Sequence, residues 1–169
     1  MHPILQKLRK GDRRSIGRSN EVVSEVLANP RLFPIVFSGL FADDPGVRMR
    51  SADALEKVTT RRPELLRPYK EKLIRELATT DQKEIRWHLA QMIPRLKLDA
   101  RQRKHVYRTL LSCLTDRSSI VRTFAMQALV DIAKDAPTLM PAVRRRIIKL
   151  TNTGTPAMKA RGRKLLATL

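Results

Sequence analysis

The sequence predicts an all-α fold, an α-α superhelix of about five antiparallel helix pairs within a single domain, 1–169. Three observations predict it. Apolar residues recur at helical spacing. A two-residue signal returns every 36 to 38 residues. Paired prolines stand ahead of that signal at matching places.

The period is set by Val47-Arg48, which returns as Ile85-Arg86, Val121-Arg122 and Met158-Lys159 at separations of 38, 36 and 37 residues. Four positions after the first residue of each come Ser51, Leu89, Ala125 and Gly162; eight after come Leu55, Ile93, Leu129 and Leu166. Eleven after come Val58, Leu96, Ile132 and Leu169. At 3.6 residues per turn these positions return to one side of a helix. Ahead of this helix, Pro30-Arg31-Leu32-Phe33-Pro34 matches Pro137-Thr138-Leu139-Met140-Pro141, and Pro63 to Pro68 is the same phrase with one insertion. Proline suits a first helical position, where its missing N–H would have no partner anyway. Each second proline therefore predicts another helix start. In the third copy Asp99 replaces the prolines as an N-cap.

The chain thus divides into a degenerate N-terminal pair, 1–29, and repeats 30–62, 63–98, 99–135 and 136–169. The spacing predicts first helices near 34–42, 68–79, 100–114 and 141–150, and second helices near 45–60, 82–97, 117–134 and 156–168. The N-terminal pair spans 3–10 and 19–29, joined by a basic loop over 11–18. Neither helix of a pair can bury its stripe alone, so neighbouring pairs must complete the core.

Aspartate, a turn, Val-Arg, then alanine and leucine at helical spacing resembles the second helix of a HEAT repeat. Asp116 to Arg122 is a close copy and Ala52-Asp53-Ala54-Leu55 another. The resemblance implies a solenoid of the armadillo type whose second helices line a concave face. It also implies that Arg48, Arg86, Arg122 and Lys159 are structural, tied to Asp43, Asp81 and Asp116 of the turns and to the next repeat. HEAT arrays serve as scaffolds, nucleic-acid binders and, in one branch, alkylpurine DNA glycosylases; the repeat does not choose among these.

Charge narrows the choice. Thirty-five Lys and Arg against sixteen Asp and Glu give +19, with 42% hydrophobic residues. That apolar content is too high and too periodic for a disordered basic tail, so a folded cation that attracts polyanions is predicted. With Val47 in the core, the opposed lane reads Met49, Asp53, Glu56; Trp87, Gln91, Pro94; Thr123, Gln127, Val130; Ala160, Lys164, Ala167. The lane is mixed, and its flanks add Arg50, Lys57, His88, Arg95 and Arg161. Stronger basic clusters mark the junctions between pairs: Arg61, Arg62, Arg67, Lys70 and Lys72; Lys97, Arg101, Arg103 and Lys104; Lys134, Arg144, Arg145 and Arg146. Stacking should align these junctions along one edge as a basic ridge. Residues 136–169 hold eight basic groups and no acid. The loop 11–18 adds Arg13, Arg14 and Arg18 before a helix start at Ser19, a weak anion site.

The leading expectation is a non-enzymatic module that binds DNA or RNA phosphates through Arg50, Lys57, Arg61, Arg62, Arg95, Arg101, Arg103, Lys104, Arg144, Arg145, Arg146, Arg161 and Lys164. The alternative is an adaptor that holds an acidic protein in the groove around Met49, Trp87 and Gln91; Trp87 either stacks on a ligand or packs on a neighbouring helix. Enzymatic patterns are absent. His2, His88 and His105 are scattered without cysteine support, so neither a metal nor a cofactor is expected. Asp53 and Asp131 lie near the groove with only Trp87 to accompany them, so no glycosylase set maps. Cys113 is the lone cysteine, which fits a reducing, cytoplasmic setting. No run of eighteen apolar residues occurs, and Arg13-Arg14 lacks the apolar segment of a secretion signal. A monomer with no small-molecule substrate is expected.

Overall fold

A computed structural model of the protein describes residues 1–9 and 15–169. Among these residues ten α-helices occur and no strand. They are α1 (Pro3–Gln6), α2 (Ser19–Ala28), α3 (Phe33–Ser38), α4 (Pro45–Arg61), α5 (Lys70–Thr79), α6 (Lys83–Met92), α7 (Ala100–Cys113), α8 (Ser119–Lys134), α9 (Met140–Thr153) and α10 (Pro156–Leu166). None is long and apolar enough to cross a membrane.

Local chemistry sets the helix starts. Asp44 caps α4, its carboxylate accepting from the N–H groups of Gly46 at 2.7 Å and Val47 at 3.2 Å. Asp99 caps α7 as expected and forms a reciprocal capping box with Gln102. Ser118 caps α8 and Thr155 caps α10, each accepting from an N–H at 3.4 Å. Removing such a cap costs about 1 kcal/mol. The paired prolines act differently from the expectation. Pro30, Pro63 and Pro137 each open a 3₁₀ turn; Pro34 and Pro141 then hold the second position of α3 and α9, and Pro68 stays inside the 3₁₀ segment Pro63–Tyr69. Proline fits either place because neither needs its N–H.

Contacts gather the chain into two compact units, Met1–Glu71 and Lys72–Leu169. In the first unit α2, α3 and the turn Gly39–Phe41 pack on α4, and α1 packs on α3. An aromatic cluster fills the gap: Tyr69 stacks on Phe37 at 3.9 Å and meets Phe33 at 5.7 Å. Burial raises the Tyr69 phenol above its ordinary pKa. In the second unit α8 is the hub, touching α6, α7, α9 and α10.

The repeat register is the core register. Val47, Ile85, Val121 and Met158 are all buried, as are Ser51, Leu89, Ala125 and Gly162 four positions on. Leu55, Ile93, Leu129, Val58, Leu96 and Ile132 are buried too, while Leu166 and Leu169 are half-buried. Each fully buried large aliphatic side chain is worth about 1.5–3 kcal/mol.

At Gly162, in the column four positions on, two helices approach closely. A Cβ added at Gly162 would lie 1.9 Å from Thr151 Oγ1 and 2.9 Å from Thr151 Cβ, so α9 and α10 meet through a bare backbone. Gly162→Ala is expected to lower stability by about 1–3 kcal/mol, the overpacking cost exceeding alanine's helical advantage of ~1 kcal/mol. Combining it with Thr151→Ala should recover part of the loss, read as the denaturant midpoint followed by circular dichroism.

Candidate functional site

The arginine column serves the scaffold. Arg48 Nη1 donates to the carbonyls of Ala42 at 2.8 Å and Asp43 at 3.1 Å. Arg86 donates to the Thr80 carbonyl and, across to the turn that precedes α8, to Asp116 Oδ2 at 2.5 Å. The expected use of Asp43 and Asp81 carboxylates therefore shifts: these bonds go to turn carbonyls and to Asp116. Burial by itself would raise the Asp116 carboxyl. The Ser118 N–H, the bound Arg86 and the nearby charge of Arg122 outweigh it and hold Asp116 below the ordinary aspartate range. Next to this pair, burial pushes the Cys113 thiol up, which makes it a poor nucleophile.

Two expectations about the groove are corrected. The lane opposite the core was to face solvent, yet Asp53, Thr123 and Val130 are buried. The reason is contact between the second helices themselves: α6 and α10 both press on α8, and α2 presses on α4. Asp53 accepts from Ser19 Oγ at 2.5 Å and from Lys57 Nζ at 2.7 Å. Arg50 was to be a phosphate ligand on the flank, yet it is only 1% exposed. Its guanidinium donates to the carbonyls of Leu8 at 2.8 Å and Ser15 at 3.0 Å. It thereby joins the two sides of residues 10–14 to α4. An arginine can do this because it carries five donors on one plane.

The other proposed cations fall into three settings. Lys57 bonds Asp53 and, at 3.0 Å, Asn20 Oδ1. With Arg61 and Asn20 it lines a groove of about 380 Å³ in the first unit. Arg62 pairs with Glu64, and Arg103 donates to the Leu98 carbonyl at 3.1 Å. Arg101, Lys104, Arg144, Arg145, Arg146 and Lys164 are exposed. Of the groove residues, Met49 belongs to the first unit and Trp87 and Gln91 to the second. Arg18 is exposed and paired with Glu21 at 2.7 Å; Arg13 and Arg14 lie outside the described residues.

In the second unit a groove of about 370 Å³ opens along α6, α8 and α10, with Gln91, Arg95, Phe124, Gln127, Asp131 and Arg161 among its lining. Arg161 is held on two sides. Its guanidinium lies 5.6 Å from the centre of the Phe124 ring, and Nη1 donates to Gln127 Oε1 at 3.0 Å. Gln127 Nε2 in turn donates to both oxygens of Asp131, at 3.1 and 3.0 Å, and Lys134 Nζ reaches Oδ1 at 3.2 Å. Trp87 packs rather than stands free. Its ring meets Phe124 edge-on at 6.3 Å and His88 at 5.3 Å.

The sequence placed Asp131 near the groove but left Phe124 out, for a definable reason. Three and ten positions after each core residue lie the flanks: Arg50 and Lys57, His88 and Arg95, Phe124 and Asp131, then Arg161 at the first of these places. Flanks read for their cations pass over the aromatic ring in the third copy. The shared register was the available signal, because it places Phe124 one rung from Arg161.

Among the described residues no group of three or more His, Cys, Asp or Glu is placed to hold a metal. The chain matches no family model, no curated protein and no solved structure.

Two variants test these assignments. Arg50→Ala should destabilise the fold by about 3–5 kcal/mol, because the buried carbonyls lose a cationic donor and the site is left unfilled; thermal unfolding of Arg50→Ala beside exposed Arg101→Ala gives the comparison. Asp116 should make stability pH-dependent. Its folded pKa is depressed, so its contribution is present above the unfolded aspartate value near ~3.9 and fades as pH falls through the folded value. Wild type should exceed Asp116→Asn by about 1.5–3 kcal/mol at neutral pH, with the gap closing in strong acid, as read from urea melts across pH.

Proposed function

We propose that this protein is a non-enzymatic nucleic-acid-binding module, a HEAT-type α-α superhelix that holds DNA or RNA through its phosphates. The observation that carries the reading is the uncompensated charge of the last helix pair. Residues 136–169 contain eight cations and no acid. Arg144, Arg145, Arg146, Lys149, Arg163 and Lys164 are exposed. None of these six has an ion-pair partner among the described residues. Some surface cations elsewhere are paired with acids, as Arg62 is with Glu64 and Lys134 with Asp131. A folded surface that leaves so many like charges unscreened repels itself and gains from an extended anion.

Repeat register supports the architectural part of the reading, since three copies bury the same four positions and the last buries the first two of them. In that architecture the junction cations Arg101, Arg103 and Lys104 of the second unit join Arg144 to Arg146, and Arg61 and Arg62 supply the same kind of junction in the first unit. Contacts of this kind place the strand and carry little sequence information. The reading needs no cofactor and takes the protein as a cytoplasmic monomer. An acidic protein in the groove is the second reading; the cations Arg95 and Arg161 in that groove favour it.

Titration of labelled duplex and single-stranded DNA by anisotropy at several salt concentrations tests the proposal. Affinity should fall steeply with salt, through counterion release. The triple charge reversal Arg144→Glu, Arg145→Glu, Arg146→Glu should reduce the slope of log K against log salt by about 2–3. No binding at low salt, or binding indifferent to salt, would refute it.

A further inference from the structure

We infer that the groove along α6, α8 and α10 receives one unpaired nucleotide of a single strand and selects a base with an exocyclic amino group over thymine or uracil. The inference rests on the nucleic-acid reading above and adds a base preference that phosphate contacts alone would not give.

The groove differs from the exposed cationic surface in two ways. The first is that its arginine is already ordered. Arg161 is fixed by the Phe124 ring at 5.6 Å and by the Gln127 amide oxygen at 3.0 Å. A planar guanidinium held within cation–π distance of an aromatic ring can offer a face on which a base stacks, and every base has a flat face to offer. Being half-buried and bonded, Arg161 loses less side-chain freedom on binding than an exposed lysine would. The volume of about 370 Å³ is within the usual range for compact ligands, roughly 300–1,000 Å³.

The second difference is the carboxylate. Asp131 sits in the same lining as Arg95 and Arg161. A groove meant for phosphate alone, or for an acidic peptide, would be weakened by that charge. A nucleotide resolves the conflict, because it carries an anion and hydrogen-bond donors in one molecule. Arg95 and Arg161 suit the phosphate. Asp131 suits donors only, since an ionised carboxylate has about four acceptor sites and no proton to give. Gln127 and Lys134 use part of that capacity. The amino groups of cytosine, adenine and guanine are donors of this kind, and a carboxylate accepting from cytosine N4 is a known pairing. Thymine and uracil have no amino group; their one ring donor, N3–H, is flanked by two carbonyl oxygens that the carboxylate repels, so they match Asp131 less well than cytosine does.

The test compares labelled homopolymers of cytosine and thymine, equal in length, by anisotropy near neutral pH. Wild type should bind the cytosine strand about five- to tenfold more tightly. In Asp131→Asn, whose amide both donates and accepts, that ratio should fall towards one. Arg161→Ala should weaken both single strands several-fold while duplex affinity stays within about twofold. Equal or tighter binding of the thymine strand by wild type would overturn the inference. So would an unchanged ratio in an Asp131→Asn protein of native helical content. If that variant fails to fold, the wild-type comparison still decides. Salt-dependent binding without base preference would refute the groove alone, whereas absence of all binding at low salt would refute the nucleic-acid reading with it.

Discussion

Everything in this fold depends on shared burial of one apolar stripe per helix. The helices of the second unit run from ten to sixteen residues. Helices of that length are marginal in water on their own. α8 therefore owes its stability to contact with α6, α7, α9 and α10. The stripe of Val121, Ala125, Leu129 and Ile132 is closed off by those neighbours. Within the second unit α6 and α10 both pack on α8, and the meeting of Phe124 with Arg161, which hold the same place in successive copies, follows from that packing.

The constraint sorts the charges. Several cations drawn inward by the packing donate to main-chain carbonyls or to a carboxylate, because an unpaired buried charge is far too costly. Arg48, Arg50 and Arg86 are of this kind, and they fasten turns to helices. They contribute to the total of +19 without being open to a ligand. The excess that remains is carried at the junctions between helix pairs and most heavily on α9 and α10. Charge thus plays two separate roles in one chain, distinguished by burial rather than by residue type.

The groove of the second unit joins the two roles. Arg161 is ordered as the buried arginines are, yet it still borders open space. An ordered cation beside a ring and a carboxylate can discriminate between ligands. A flexible exposed one mainly raises affinity for any polyanion. On the proposed nucleic-acid reading, that division would make the exposed surface sensitive to salt and the groove to the chemistry of the base.

Sequence by itself determined the helices, the order of the pairs and the core column. Those features arise from local rules: a cap such as Asp99 is read from its own turn, and the stripe from Val47 to Val58 from the helical period. The finer placements were set by tertiary structure. Arg50 and Arg161 occupy the same place in the repeat, three residues after Val47 and Met158. One is enclosed by the carbonyls of Leu8 and Ser15, and the other lies on Phe124 at the rim of a groove. Periodicity gives a side chain its direction from its own helix. Whether that direction ends in protein or in open space depends on what the neighbouring helix supplies, and no local pattern carries that information.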